Sequence, residues 1–189
     1  MAQKHNYKFY LDAIVEHGIT PRGVRWSSED AQYKRFFVLT QLIKDEIETS
    51  SIVDAGSGFG DYYYYLLING IYPYKYIGLD CMQDMIDIAS NRFDEVQFIK
   101  KNILEGDLIA ADYYICSGAL NILTKEEVFI FIENCFKSSK KGFVFNFLKL
   151  QSYNKIEIDE VIEFCNKLTN CLKTKDNYLN NDFTIFMVK

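Results

Sequence analysis

The sequence predicts a doubly wound α/β fold, on three observations. From residue 51 onward, short apolar runs alternate with helical stretches. A glycine-rich turn, Gly56 to Gly60, joins the first run to a helix. The last two runs have no helix between them, so they pair antiparallel and place one reversed strand in an otherwise parallel sheet.

The elements follow in order. Residues 1–50 read as helical. Within them, Phe36, Leu39 and Ile43 stand at helical spacing in the run Ala31–Ile43, Ser27 or Ser28 is the expected cap, and Asp30 sits in the first turn. Gly18 to Gly23 reads as a turn before it. Strands are expected at Ser51–Ala55, Tyr74–Asp80, Val96–Lys100, Tyr113–Ser117 and Gly142–Leu148, then near Leu172–Lys175 and Phe183–Lys189. Helices are expected at Asp61–Asn69, Met82–Arg92, Lys125–Ser138 and Asp159–Lys167.

A length of 189 residues suits one domain with one real core. We read 1–50 as a helical segment closing over the strand ends and 51–189 as the sheet core. With 49% hydrophobic and 25% charged residues the chain is globular rather than disordered. Its net charge of −5 makes it a poor electrostatic partner for phosphate backbones, so nucleic acid is not the expected substrate. No apolar stretch is long enough to span a membrane, and Met1 to Tyr10 lacks the apolar centre of a signal peptide. The five cysteines are scattered, with no CxxC pair. Reduced thiols in a cytoplasmic protein are therefore expected, rather than a zinc site or a disulfide framework.

Val53-Asp54-Ala55-Gly56-Ser57-Gly58-Phe59-Gly60-Asp61 is the most informative segment. Glycines at a strand-to-helix turn let the backbone fold tightly and approach a ligand. Their spacing departs from the dinucleotide pattern G-x-G-x-x-G, whose last position is Asp61 here. An acid there would oppose a pyrophosphate, and Asp54 also suits a cation better than a phosphate.

Val53–Gly60 resembles the first motif of the class I S-adenosylmethionine (SAM)-dependent methyltransferases. The resemblance implies a Rossmann-like fold, SAM as cofactor, and methyl transfer to an acceptor it does not identify; with nucleic acid disfavoured by charge, a small molecule is the expected acceptor. It implies cofactor contacts at Asp54, Gly56, Ser57, Gly58 and Gly60. It also assigns the ribose hydroxyls to Asp80, at the carboxyl end of the second strand with Cys81 beside it; the alternative for Asp80 is a helix cap. Asn102 stands where the family usually has an acid that accepts from the adenine amino group. Ile103 would pack on the adenine or simply in the core. Ser117 and Gly118 permit close approach to the methyl, and Asn121 either orients the substrate or caps the next helix. The Asn/Asp-Pro-Pro-aromatic motif of the enzymes that methylate nucleic-acid and glutamine amino groups does not occur. The segments 26–36 and 142–148 further resemble a group of small bacterial methyltransferases. In the N-terminal segment Trp26 is expected to wall the pocket or pack in the core. Arg35 either pairs with the SAM carboxylate or lies on a solvated helix face. His17 is the weak candidate for a base. An NAD-dependent oxidoreductase and a non-catalytic SAM-binding protein remain as alternatives.

Overall fold

The structure, a computed structural model, describes residues 28–149 and 156–189, together with Asp12, Glu16 and Gly18. The helix before the sheet, α1 (Glu29–Ile43), is capped by Ser28, whose hydroxyl accepts from Ala31 N at 3.1 Å. The chain then runs β1 (Ser51–Ala55), α2 (Asp61–Ile68), β2 (Lys75–Asp80), α3 (Gln83–Arg92) and β3 (Gln97–Lys100). It continues with β4 (Ala111–Cys116), α4 (Lys125–Ser138), β5 (Ser139–Leu148), α5 (Ile158–Leu168), β6 (Cys171–Lys175) and β7 (Asp182–Val188).

The sheet has seven strands in the order β3-β2-β1-β4-β5-β7-β6. β1 pairs in parallel with β2 and β4, and β4 with β5. β7 runs antiparallel to both β5 and β6, which is the single reversed strand expected from the missing helix. β1 and β4 lie inside the sheet and are mostly apolar, because both of their faces are covered. The order reverses at β1, so the crevice outside the carboxyl ends of β1 and β4 is the topological switch point where open α/β sheets bind ligands.

Each face of the sheet buries its own cluster. Val53, Tyr114, Phe143, Phe145 and Phe147 pack against Val128, Phe131 and Ile132 of α4 and Val161 and Cys165 of α5. The opposite face sets Ile52, Ile115 and Val144 against Phe36, Leu39 and Ile43 of α1, with Tyr62, Tyr63 and Ile86 from α2 and α3. This corrects one expectation. Residues 29–43 are not a cover over the strand ends. They are part of the core on one face of the sheet, because their apolar stripe has a sheet to bury against. Trp26 and His17 lie outside the described residues.

Candidate functional site

Three glycines shape the turn between β1 and α2. Gly56, Gly58 and Gly60 have φ of 82°, 53° and 78°, a left-handed region that a side chain makes unfavourable. Gly56 N and Ser57 N both donate to Leu79 O, at 2.8 and 3.0 Å, which folds the turn back onto β2. There is no room for a side chain at position 56: a Cβ would stand 2.5 Å from Cβ of Ala119. Gly78 allows the other close approach, since a Cβ there would meet the Phe98 ring at 2.3 Å and Ser57 Oγ at 2.8 Å. The Ser57 hydroxyl is therefore turned toward β2, and it has no hydrogen-bond partner among the described residues.

Asp80 closes the crevice on the β2 side. Its Oδ2 accepts from Gly58 N at 3.0 Å and its Oδ1 from Met82 N at 2.9 Å. With Cys81 as a third backbone donor, the carboxylate still keeps lone-pair capacity beyond these three. Burial raises the pKa of this carboxyl, and the backbone donors of Met82 and Gly58 oppose the rise. Asp80 is not the cap of α3, which is Met82. Cys81, next to it, is an exposed free cysteine.

Asp54 stands elsewhere than its motif position suggested. It is 3% exposed, on the sheet face covered by α1, α2 and α3, and its Oδ2 accepts from Tyr76 Oη at 2.6 Å. Burial pushes its carboxyl up to about 7, against the Tyr76 hydrogen bond, and Asp80 and Asp61 add to the rise. Tyr76 was not singled out from the sequence; a tyrosine in a buried strand signals that its hydroxyl needs a partner.

The acid at the start of α2 is neutralised locally. Arg92 Nη1 donates to Asp61 Oδ1 and to Phe59 O, both at 2.7 Å, and Gln32 Nε2 donates to Asp61 Oδ2 at 3.1 Å. Asp61 thus ties α1 and α3 to the glycine turn, which weakens it as a reason against a bound phosphate. Arg35 is also a correction. Its Nε and Nη2 donate to the two carboxylate oxygens of Asp182 at the start of β7, the second at 2.8 Å. The fork expected on a cofactor carboxylate or in solvent is engaged inside the protein instead.

On the β3 side, Asn102 caps a short 3-10 helix, its Oδ1 accepting from Leu104 N at 3.1 Å. Ile103 is buried in the core cluster beside α4, as packing alone required. After β4, Gly118 is left-handed at φ 88° and begins the 3-10 helix Ala119–Ile122. Asn121 is not the cap of α4, a role that Thr124 fills; its Oδ1 accepts from Leu148 N at 3.3 Å. Ser117 and Gly118 are both held by Asn146, a residue the sequence reading passed over although it is an amide within the apolar run 143–148. The structure thus brings Gly56, Gly58, Asp80, Ser117 and Gly118 to the strand ends and sends Arg35 and Asp54 to the buried face.

Asp80 is the carboxylate held against the glycine turn, and the turn from Val53 to Gly60 itself carries no lysine or arginine. Such a set suits a ligand with cationic groups and hydroxyls better than a diphosphate.

Residues 52–142 match a family model described as a methyltransferase domain. Among curated proteins, none matches the chain. The fold is similar to the SAM-bound structure of magnesium protoporphyrin IX methyltransferase from Synechocystis PCC 6803, at 15% identity and TM-score 0.66, covering 85% of this chain and 82% of that one. The S-adenosylhomocysteine (SAH) complex of the same enzyme gives TM-score 0.68 at 15% identity, covering 84% and 83%. A SAM-dependent methyltransferase from Clostridium acetobutylicum ATCC 824 is similar over 97% of this chain and 98% of its own, at 11% identity and TM-score 0.69.

Proposed function

We infer that this chain is a class I SAM-dependent methyltransferase, and on that premise we propose that it methylates a small-molecule acceptor in the crevice outside β1 and β4. The observation that carries the site assignment is the bond from Gly58 N to Asp80 Oδ2, which holds one acid at the carboxyl end of β2 against the glycine turn. In this reading Asp80 accepts from the ribose hydroxyls through its remaining lone pairs. Gly56 and Gly58 give the cofactor a surface without side chains. Ile103 and Asn102 stand at the adenine end, where the amide oxygen of Asn102 has a second lone pair beyond its cap. Ser117 and Gly118 border the reacting end.

SAM bound there would supply an electrophilic methyl on a sulfonium, with the neutral thioether as its built-in leaving group. The chain's own task is then placement, bringing the attacking atom in line at about 3–3.5 Å and keeping water away. Asp80, the carboxylate described at this end, already accepts from backbone amides. The acceptor therefore fits best as an atom that is nucleophilic without a protein base. His17, the remaining candidate base, is outside the described residues. An acidic chain disfavours nucleic acid as acceptor, and its scattered cysteines fit a cytoplasmic setting. Among the described residues no helix is long and apolar enough to cross a membrane.

Calorimetric titration with SAM, SAH and NAD tests the cofactor assignment. Binding of SAM and SAH is expected; affinity for NAD with none for SAM would reject it. A screen of small-molecule acceptors with methyl-labelled SAM then tests turnover, and tight SAM binding with no transfer to any acceptor class would favour a non-catalytic SAM-binding protein.

A further inference from the structure

Asn146 is 1% exposed, yet it sits in β5 between Phe145 and Phe147. Burying an amide is unfavourable unless its donor and acceptor are both met. One turn meets both. Oδ1 of Asn146 accepts from Gly118 N at 3.1 Å, and its Nδ2 donates to Ser117 Oγ at 2.9 Å. The bond from Leu148 N to Asn121 Oδ1 fastens the far side of the same turn to the same strand. The next residue along, Ala119, is the one whose Cβ leaves no space for a side chain on Gly56. A contact path therefore runs from β5 through Ser117–Ala119 to the first glycine of the cofactor turn.

We propose that Asn146 is a positioning residue that sets the turn after β4 against Gly56 and so shapes the crevice for the sulfonium and amino-acid end of SAM, not for its adenosine end. The inference rests on the cofactor reading above. With the ribose at Asp80, the strand order β3-β2-β1-β4 puts adenine toward β3. The turn after β4 then lies across β1, beside the opposite end of the cofactor.

The test compares adenosine with SAM and SAH by calorimetry. Asn146→Leu keeps the volume and removes both bonds. Its SAM and SAH dissociation constants should rise about tenfold, while that for adenosine changes by less than about twofold. Asn146→Asp supplies a rescue that a loss of packing would not show. Its protonated carboxyl accepts from Gly118 N–H and donates to Ser117, as the amide does. Its ionised form has no proton to donate and places a buried charge under the turn. SAM affinity relative to the wild type, which cancels any titration of Asp54, Asp80 or Asp61, should therefore recover as pH falls from about 8 to about 5. If Asn146→Leu does not fold, Asn146→Asp and Ser117→Ala carry the same ligand comparison. Equal losses for adenosine and SAM, or unchanged SAM affinity, overturn the proposal. A wild-type protein that binds no SAM removes it together with the cofactor reading, and is told apart by that control.

Discussion

Arg35→Met separates the structural role of the guanidinium from the role its position first suggests. The variant keeps the apolar stem but leaves the Asp182 carboxylate, 2% exposed, without its two donors. Removing one partner of a buried ion pair costs about 3–5 kcal/mol, because the desolvated charge that remains is uncompensated. For a chain of this length each kcal/mol moves the melting temperature by about 2–4 °C, so Tm should fall by about 10 °C. Urea unfolding followed by circular dichroism measures the loss. Adding Asp182→Leu should recover much of it, since the double variant has no orphaned charge, and the cycle isolates the coupling. SAM affinity of the folded single variant should stay within about twofold of the wild type. A destabilisation under about 1 kcal/mol, as for an exposed pair, together with a tenfold or greater loss of SAM affinity, would show that Arg35 serves the cofactor carboxylate and would refute the reasoning.

Asp80→Ala removes the expected ribose acceptor and the tie to Gly58; both SAM and adenosine should bind at least about tenfold more weakly by calorimetry, unlike the selective loss at Asn146. Gly56→Ala forces a Cβ to within 2.5 Å of Ala119 at φ 82°, so it should lower Tm and weaken SAM binding together. Asp54 links stability to pH. Its pKa is raised from 3.8 to about 7, so the folded protein holds a proton there that the unfolded chain releases, and stability present below about pH 4 is lost as pH rises toward 7. Asp54→Asn should flatten that slope in denaturant titrations across the window. Tyr76→Phe, by removing the donor that favours the ionised form, should carry the window upward.

Much of this was legible in local sequence. β1 could be read from an apolar run ending in glycines, and α4 was expected at its observed bounds, although its capping box, Thr124 with Glu127, was not singled out. Asp80 was legible because its meaning depends on position at a strand end next to a glycine turn. What stayed hidden depends on partners distant along the chain. Arg35 meets a residue 147 positions away, so no window around residue 35 distinguishes an exposed guanidinium from a buried one. Asp54 looked like a ligand-facing acid because its neighbours are, whereas strand alternation turns it to the face where Tyr76 waits. The cover assigned to 1–50 failed at 29–43 for a related reason: an amphipathic helix shows that it will bury a stripe, not which surface receives it. Asn146 did leave a signal, a polar residue where only apolar ones pack, and that class of exception is worth reading first.

The position of β7 has a consequence for how the protein is made. Asp182–Val188 follows the other six strands of this sheet in sequence, yet it lies inside the sheet, between β5 and β6. Until it is in place, β5 presents an unpaired edge, β6 has no neighbour, and Arg35 lacks the Asp182 carboxylate. The half of the sheet that carries the glycine turn can pair earlier, because β1 to β4 need nothing from the last residues. The nascent chain thus passes through a stage with a formed β3-β2-β1-β4 half and an open, sticky flank, the kind of exposed edge that recruits chaperones or aggregates.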